Sequence, residues 1–535
     1  MAVTLVGFIA NNCDSTTGFT GGSGFGTDDA AWEGTAAYGT KASATTVEFY
    51  TTSLTSGPYN FSSGGGQAGY HIILWSNTKT PINATTGLTI IVGNGTSRGK
   101  WNVIGSGVYS GGWQSRVVNT ARAFDTISAG SWTTGGNPGQ LTNITQMGGG
   151  FTTTTSIMGS FNNVQIDQFT VGLGLRVDAG TVGTPNTFNT VKVADEDGTL
   201  WGWWSLSDGS YLGKGKLYIG PATGSATSVF NDSAFKVTFS DELVASDFYE
   251  IATRGAGTDV TWTLGSISTA NTANRWGLTV DSTTNSFSDT NSVWNGGRVL
   301  TLNANSTLTG TTIIDTTSMV QNSATLDSIT VIDANTSSGT AFLTCDDLSS
   351  LTDCEFEFSA GHAIELTSAH AASPSTHNLD GLKFTGSFGG TPGSNLSANS
   401  GSNDAMIYNN SGKALIINVI NGGDTPSVRN GAGATTTVNN TVTLTVTVRN
   451  EQGVAVQGAR VAIFDYTGQT QGSEITSGST NSSGIYQDNS YSFGGDLDIL
   501  VRVRLKGFLP FDTTGTITSG GFSLGVRFIK DNIVD

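Results

Sequence analysis

The sequence predicts an all-β protein. It reads as an N-terminal jelly roll or sandwich over residues 1–165, a central right-handed parallel β-helix (a solenoid) over 166–430, and a C-terminal β-sandwich over 437–535. Three observations predict this. Glycine supplies 73 of 535 residues, about twice the ordinary share of ~7%. Runs of Ala, Leu, Glu and Lys at helical spacing are nearly absent, while short alternating segments recur between Gly/Ser/Asn clusters. The middle of the chain carries a degenerate repeat, the signature of stacked units.

The first region holds Tyr70-His71-Ile72-Ile73-Leu74-Trp75 and Leu88-Thr89-Ile90-Ile91-Val92, two short strands bounded by turn residues. Gly99-Lys100-Trp101-Asn102-Val103-Ile104-Gly105, running into Tyr109 to Val118, reads as a hairpin carrying large aromatics. Regular short strands with such breaks fit a sandwich or jelly roll.

The repeat consists of an apolar strand, a polar turn, a leucine and a second strand. Its marker leucines are Leu308, Leu326, Leu351, Leu379 and Leu415, at steps of 18, 25, 28 and 36. Uneven steps suit a coil with constant strands and variable loops. One turn cannot bury its own apolar face; stacking builds a shared core and pairs the backbone between turns. Val164-Gln165-Ile166, Ala234 to Val237, Phe248 to Ile251 and Trp276 to Val280 also read as strands of this kind, so the stack is expected to begin near residue 165. The alternative is an antiparallel sandwich, which also produces short alternating strands.

The third region opens with Val442-Thr443-Leu444-Thr445-Val446-Thr447-Val448, a period-2 strand. The turn Asn450-Glu451-Gln452-Gly453 and the strand Val456 to Ile463 follow, then Asn481 to Tyr486 and Leu500 to Leu505. The polar run from Asn430 to Asn440 is expected to be a linker or lead-in.

Gly453, Gly458, Ala459, Val461 and Gly484 carry a resemblance to the transthyretin-like, or carboxypeptidase regulatory, sandwich family. That pattern is a strand, a turn glycine, a Gly-Ala-x-Val strand and a Thr-x-x-x-Gly turn; Ala455 stands where the family usually has proline. The resemblance implies an Ig-like, non-catalytic spacer or adhesion module. Residues 70–430 resemble virion proteins of tailed phages, of the fibre, spike and surface-decoration type. The Trp101 to Trp113 segment, Ala123-Phe124-Asp125-Thr126, Phe161 to Asp167 and the repeat itself carry that likeness.

Charge and chemistry narrow the function. Charged residues are 12% of the chain, against ~25% usually. The balance of 24 basic and 41 acidic residues gives −17, which disfavours nucleic acid and anionic membranes as partners. The first eighteen residues show no positive leader, and Gly7 and Asn11 break their apolar run, so neither an export signal nor a membrane span is expected. A surface-type protein without export fits a virion, made in the host cytoplasm and released on lysis. The expected function is therefore structural, displayed for host adhesion or particle stabilisation, with other virion proteins and host surface glycans as partners and no membrane insertion. The alternatives are a receptor-binding tailspike with polysaccharide depolymerase activity and a secreted bacterial β-helix adhesin.

No cofactor, metal or catalytic set is expected. Cys13, Cys345 and Cys354 show no Cys/His ligand spacing and read as buried thiols, although Cys345 and Cys354 are near enough in sequence to meet. His71, His362, His370 and His377 form no triad by spacing. For a depolymerase the candidate carboxylates are Asp346, Asp347, Asp353, Glu355 and Glu357. Glu355 and Glu357 share one strand face roughly 7 Å apart, within glycosidase range. Alternation alone makes them an outward polar face opposite buried Phe356 and Phe358. Asp195-Glu196-Asp197-Gly198 lacks a full set of calcium ligands and reads as an acidic turn. Trp101, Tyr109 and Trp113 are the candidate glycan-stacking residues, with core packing as the alternative. Trp201, Trp203 and Trp204 are the candidate interface of a homotrimer, with core packing again the alternative.

Overall fold

The computed structural model describes residues 3–531 except 22, 29–30, 32–33, 35–36, 42–45, 79–81, 104–106, 110–111, 135–137, 154–163, 179, 182, 190–200, 202–203, 222–227, 234, 240–248, 264, 270–274, 335, 338, 369–375, 389–404, 494–495 and 519. The chain is all-β, 59% strand and 3% helical. It divides into two compact units, Met1–Ser306 and Thr307–Asp535.

The first unit begins with two antiparallel sheets. In one, Val3–Asn11 and His71–Thr78 both pair with the long strand Val164–Val177, and Trp113–Asn119 pairs with His71–Thr78. In the other, Gln146–Thr153 lies between Thr46–Thr51 and Ile82–Gly93, and Arg98–Asn102 pairs with Ile82–Gly93. Their shared core includes Phe49, Ile72, Leu74, Ile90, Trp101, Met147 and Phe169. Trp101 and Trp113 therefore lie in different sheets, and the expected aromatic hairpin is not formed. Arg98–Asn102 forms its hairpin with the strand just before it, Ile82–Gly93, while Trp113–Asn119 pairs with His71–Thr78 farther upstream, so the two segments turn away from each other.

Val164–Val177 then changes partners. Its last four residues, Gly174 to Val177, pair in parallel with Lys216–Ile219. Gly174 sits where a Cβ would fall 1.9 Å from the Lys216 carbonyl oxygen, so glycine permits the close approach. From here each repeat has three strands, and each strand pairs in parallel with the third one along. The repeats are Lys216–Ile219, Ser228–Asp232, Lys236–Phe239; then Glu250–Thr253, Thr258–Thr263, Ser266–Thr269; then Trp276–Val280, Ser286–Thr290, Val293–Asn295.

The second unit has the same plan. Its repeats are Ser318–Val320, Thr325–Asp327, Thr330–Ala334; then Ala341–Cys345, Leu351–Thr352, Glu355–Ser359; then His362–Leu366, Thr376–Asp380, Lys383–Phe388. All three strand positions pair in parallel between repeats. The marker leucines lie on a short strand of their own, so the repeat has three strands where the sequence reading saw two and a leucine.

Leu308, Leu326 and Leu351 stack in register, fully buried. Two residues after each leucine the chain turns through a left-handed residue: Gly310 (φ 64°), Ser328 (φ 55°), Asp353 (φ 50°) and Gly381 (φ 69°). Three residues later comes the buried residue of the next strand, Ile313, Val331, Phe356 or Phe384. Two further on a second left-handed corner follows, at Asp315 (φ 48°), Asp333 (φ 52°), Phe358 (φ 52°) and Gly386 (φ 81°). Gly, Asp and Asn tolerate this conformation best, which accounts for much of the composition.

Leu415 does not continue the ladder. Leu379 pairs with Val419, and Val419 is followed two residues later by left-handed Asn421 (φ 52°). Leu415 is buried, but in the same strand as Val419, Ala414–Ile420, four residues earlier.

The expected linker is also a strand. Thr435–Asn450 is continuous; its first part, to Asn440, pairs in parallel with Ala414–Ile420, and its second part pairs with Ile485–Ser492 and Phe522–Phe528. A second sheet of Glu474–Ser479, Arg460–Asp465, Leu497–Arg504 and Phe511–Ile517 packs over a core that includes Leu444, Val446, Val461, Ile463, Val501 and Val526. The Asn430–Asn440 run combines the turn at residues 431–434 with the start of Thr435–Asn450, where Thr435 and Thr437 face solvent, so its polar character does not mark an unstructured linker.

Candidate functional site

The candidate glycan-stacking residues do not form one platform. Trp101 is completely buried, its Nε1 donating to the Arg122 carbonyl oxygen at 2.9 Å and its ring 4.6 Å from that of Phe124. A ring with no accessible face cannot stack on a sugar. Trp113 is half-buried opposite Asn77 in the other sheet. Tyr109 pairs by its backbone with Ile82, and its side chain lies outside the described residues.

The tryptophans proposed for an interface fare similarly. Trp201 is 1% exposed inside its own chain, so it offers no contact surface. Trp203, the side chain of Trp204, and the Asp195-Glu196-Asp197-Gly198 turn lie outside the described residues.

The candidate carboxylates are dispersed over three places. Asp346 accepts from the Ser323 backbone N–H at 2.6 Å and hydroxyl at 2.9 Å. Asp347 caps the short 3-10 turn Leu348–Ser350, accepting from Ser349 N at 3.0 Å. Both hold turns together. Asp353 is an exposed left-handed corner residue. Glu355 and Glu357 do share the outer face of Glu355–Ser359, with Phe356 buried beneath.

Phe358, expected to be buried with Phe356, is 48% exposed. Its positive φ breaks the alternation: the chain turns the corner here, and the side chain swings outward. The strand register shifts at the same point, between Glu357 and Ser359. Around the ring lies a hollow of about 480 Å³ lined by Ile314, Asp315, Asp333, Ala334, Phe358, Ser359 and Ala360. Ser359 is held from below, its hydroxyl 2.7 Å from that of Thr336.

Two other hollows are smaller. One of about 290 Å³ beside the N-terminal sheets is lined by Phe61, Phe124, Leu141 and Arg122, whose guanidinium donates twice to Asp125 at 3.0 and 2.8 Å. One of about 190 Å³ on the first strand position of the early repeats contains the Lys216–Glu250 pair at 2.9 Å and Arg298.

The remaining reactive groups are sealed. Cys13, Cys345 and Cys354 are free and buried. Burial pushes the Cys354 thiol up to about 12. Burial, and then the Asp167 carboxylate, raises that of Cys13. His362 lies against Tyr408, ring centroids 4.8 Å apart, with Nδ1 receiving the Ala405 N–H at 2.8 Å. His377 is buried and faces inward beside Ile417. Among the described residues, no three His, Cys, Asp or Glu side chains converge as a metal site, and no helix is long and apolar enough to cross a membrane.

No family model matches the chain, and no curated protein matches it. Among solved structures, it aligns with the Agl-KA catalytic domain at 9% identity and a TM-score of 0.20, over 82% of this chain and 98% of that one. A likeness this weak carries no argument about fold or activity.

Proposed function

We propose that this chain is a non-enzymatic structural protein of a phage particle, a fibre, spike or surface decoration built on a parallel β-helix. The N-terminal sheets form a jelly roll or sandwich, and the C-terminal sheets a transthyretin-like module; Gly453, Gly458 and Gly484 support that last assignment, each left-handed at φ 79°, 79° and 75° in a turn. The observation that carries the proposal is the construction of the two junctions. Val164–Val177 and Thr435–Asn450 each belong at once to a sandwich and to the parallel stack. A hinge would need a flexible segment with few contacts; a shared strand transmits load through backbone hydrogen bonds instead. That suits a rigid display element.

Open sheet edges and sparse charge favour a homotrimer, in which three chains cover one another's flanks. Trp201, being buried, contributes nothing to that argument. Light scattering of the purified chain should give about three times 55.3 kDa. A monomer at micromolar concentration would remove the trimer.

Location is tested by mass spectrometry of purified particles from cells carrying the gene, with antibody labelling against residues 437–535 in micrographs. Recovery only from the medium or surface of uninfected cells would favour the adhesin reading. Incubation with capsule or lipopolysaccharide should release no oligosaccharide; release abolished by Glu355→Gln or Asp353→Asn would establish the depolymerase.

A further inference from the structure

The second left-handed corner of the second unit is occupied in successive repeats by Asp315, Asp333, Phe358 and Gly386. Three of these suit the conformation. Phe358 does not: a bulky side chain at positive φ is disfavoured, and such outliers persist where function requires them. Its ring is only partly buried, 48% of the residue remaining exposed. It is nonetheless seated. A Cβ on Gly386 would fall 2.4–2.7 Å from three ring atoms, so the ring rests on the bare backbone of the next repeat. In the preceding repeats, the stacked positions carry carboxylates. Ile314 pairs with Ile332, and Ile332 with Glu357, which sets Asp315, Asp333 and Phe358 one above another at the rim of the 480 Å³ hollow.

We propose that this hollow is a binding site for a neutral glycan. The Phe358 ring is the stacking platform, and the carboxylates of Asp315 and Asp333 accept hydrogen bonds from sugar hydroxyls. Each physical requirement is present. The volume is within the range of small-ligand sites. The ring offers an apolar surface to the C–H face of a pyranose. A carboxylate has about four acceptor positions, enough to serve a ligand in addition to existing contacts. Two carboxylates beside the platform repel uronates, sialic acids and phosphorylated sugars, which restricts the ligand to neutral residues. They also oppose a second copy of this chain on the same surface, which would bring like charges together. The site is independent of where the protein is displayed.

The test is a glycan array of neutral and acidic bacterial oligosaccharides probed with the full chain, followed by calorimetry on the strongest neutral hit. Saturable binding of a neutral oligosaccharide is expected, with at least tenfold weakening in Phe358→Ala and near-unchanged affinity in Phe358→Tyr. Phe358→Gly should lose binding while its unfolding temperature rises, because glycine relieves the corner; this separates the role of the ring from a folding defect. Selection of acidic glycans only, absence of any hit, or equal affinity in Phe358→Ala overturns the proposal. So does a change of assembly mass in Phe358→Ala, which would make the ring a contact between copies.

Discussion

The early repeats, Lys216–Asn295, and the later ones, Ser318–Phe388, turn their corners at different points, and this decides what fills them. In the early stack the buried residue of the second strand precedes that of the third by seven: Phe230 and Val237, Val260 and Ile267, Phe287 and Trp294. In the later stack the interval is five, as in Leu351 and Phe356. The residue two beyond the first buried position explains the difference. In the later repeats it is left-handed and ends the strand. In the early ones the strand continues to a second inward residue, Trp262 or Asp289, and the left-handed corner waits until Asn291 (φ 57°). Two more residues per turn lengthen the perimeter by roughly 6–7 Å. Large rings fill the added space. Phe188 lies 4.2 Å from Phe235, Phe235 4.6 Å from Trp262, Trp262 4.9 Å from Phe287, and Phe287 6.0 Å from Trp294. The later interior at the leucine position is instead an in-register aliphatic ladder.

Truncation in the two interiors tests this contrast most severely. Trp262→Ala should cost about 3–5 kcal/mol and Leu326→Ala about 2–5 kcal/mol, read from denaturant titrations. The aromatic chain should also show coupling: the double change Trp262→Ala with Phe287→Ala should depart from additivity by about 0.5–3 kcal/mol. Additive losses would mean that the rings fill space independently.

Next in size is the corner. Gly381→Val forces a β-branched residue into a left-handed position and places its Cβ against the Asp353 carboxylate, 1.9 Å away before relaxation. A loss of about 2 kcal/mol or more is expected. Gly277→Ala in the early stack, where a Cβ would meet only ordinary contacts at 3.4 and 3.9 Å, should cost less than about 1 kcal/mol. Equal losses at the two glycines would deny the corner its special role.

This corner also explains how much of the molecule was legible. The constant pair of leucine and following strand, four times repeated from Leu308 to Phe384, identified the stack because its polar corner residues interrupt an apolar pattern at fixed places. Leu415 matches the pattern by apolar character alone; Ile417 two residues later is β-branched and disfavoured at a left-handed corner, whereas Asn421 after Val419 suits one. The early repeats were faint because their spacing of seven is filled by a different residue type each time, Phe230, Val260 and Phe287 and then Val237, Ile267 and Trp294, so no single marker residue recurs. Phe358 was assigned inward because alternation assumes extended backbone, and nothing in its own identity announces positive φ; its alignment with Asp315, Asp333 and Gly386 is the signal that locates it. Trp101 found its partner in the strand just before it, opposite Ile90, and only the Trp113 strand depended on a partner farther along the chain, opposite Asn77.

Acid separates the units by a smaller effect. His71 is buried in the first unit, and burial, then the Lys216 charge, holds its imidazole well below the ordinary value of 6.5. Below pH 6.5 the unfolded chain takes up a proton that the folded chain refuses, so stability falls with decreasing pH, by up to about 1.4 kcal/mol per pH unit until the folded group itself titrates. His71→Gln should flatten that slope in first-unit unfolding. An unchanged slope would assign it to other groups.

The mildest change should be stabilising. Ser328→Gly places the permissive residue at a left-handed corner and should add up to about 1 kcal/mol. A loss there would indicate that the serine side chain, not the backbone, maintains the turn.

The stacked register itself is tested most directly by paired cysteines on the outer face of the second unit. Asn378 lies in register with Asn418 across adjacent parallel strands, where Cα atoms are about 4.8 Å apart and a disulfide can close. The native cysteines are buried and will not compete. Under mild oxidation Asn378→Cys with Asn418→Cys should cross-link within the chain, and Asn378→Cys with Ala414→Cys, about 13 Å out of register, should not. Cross-linking of the second pair, or of neither, would contradict the parallel stack with Leu379 opposite Val419.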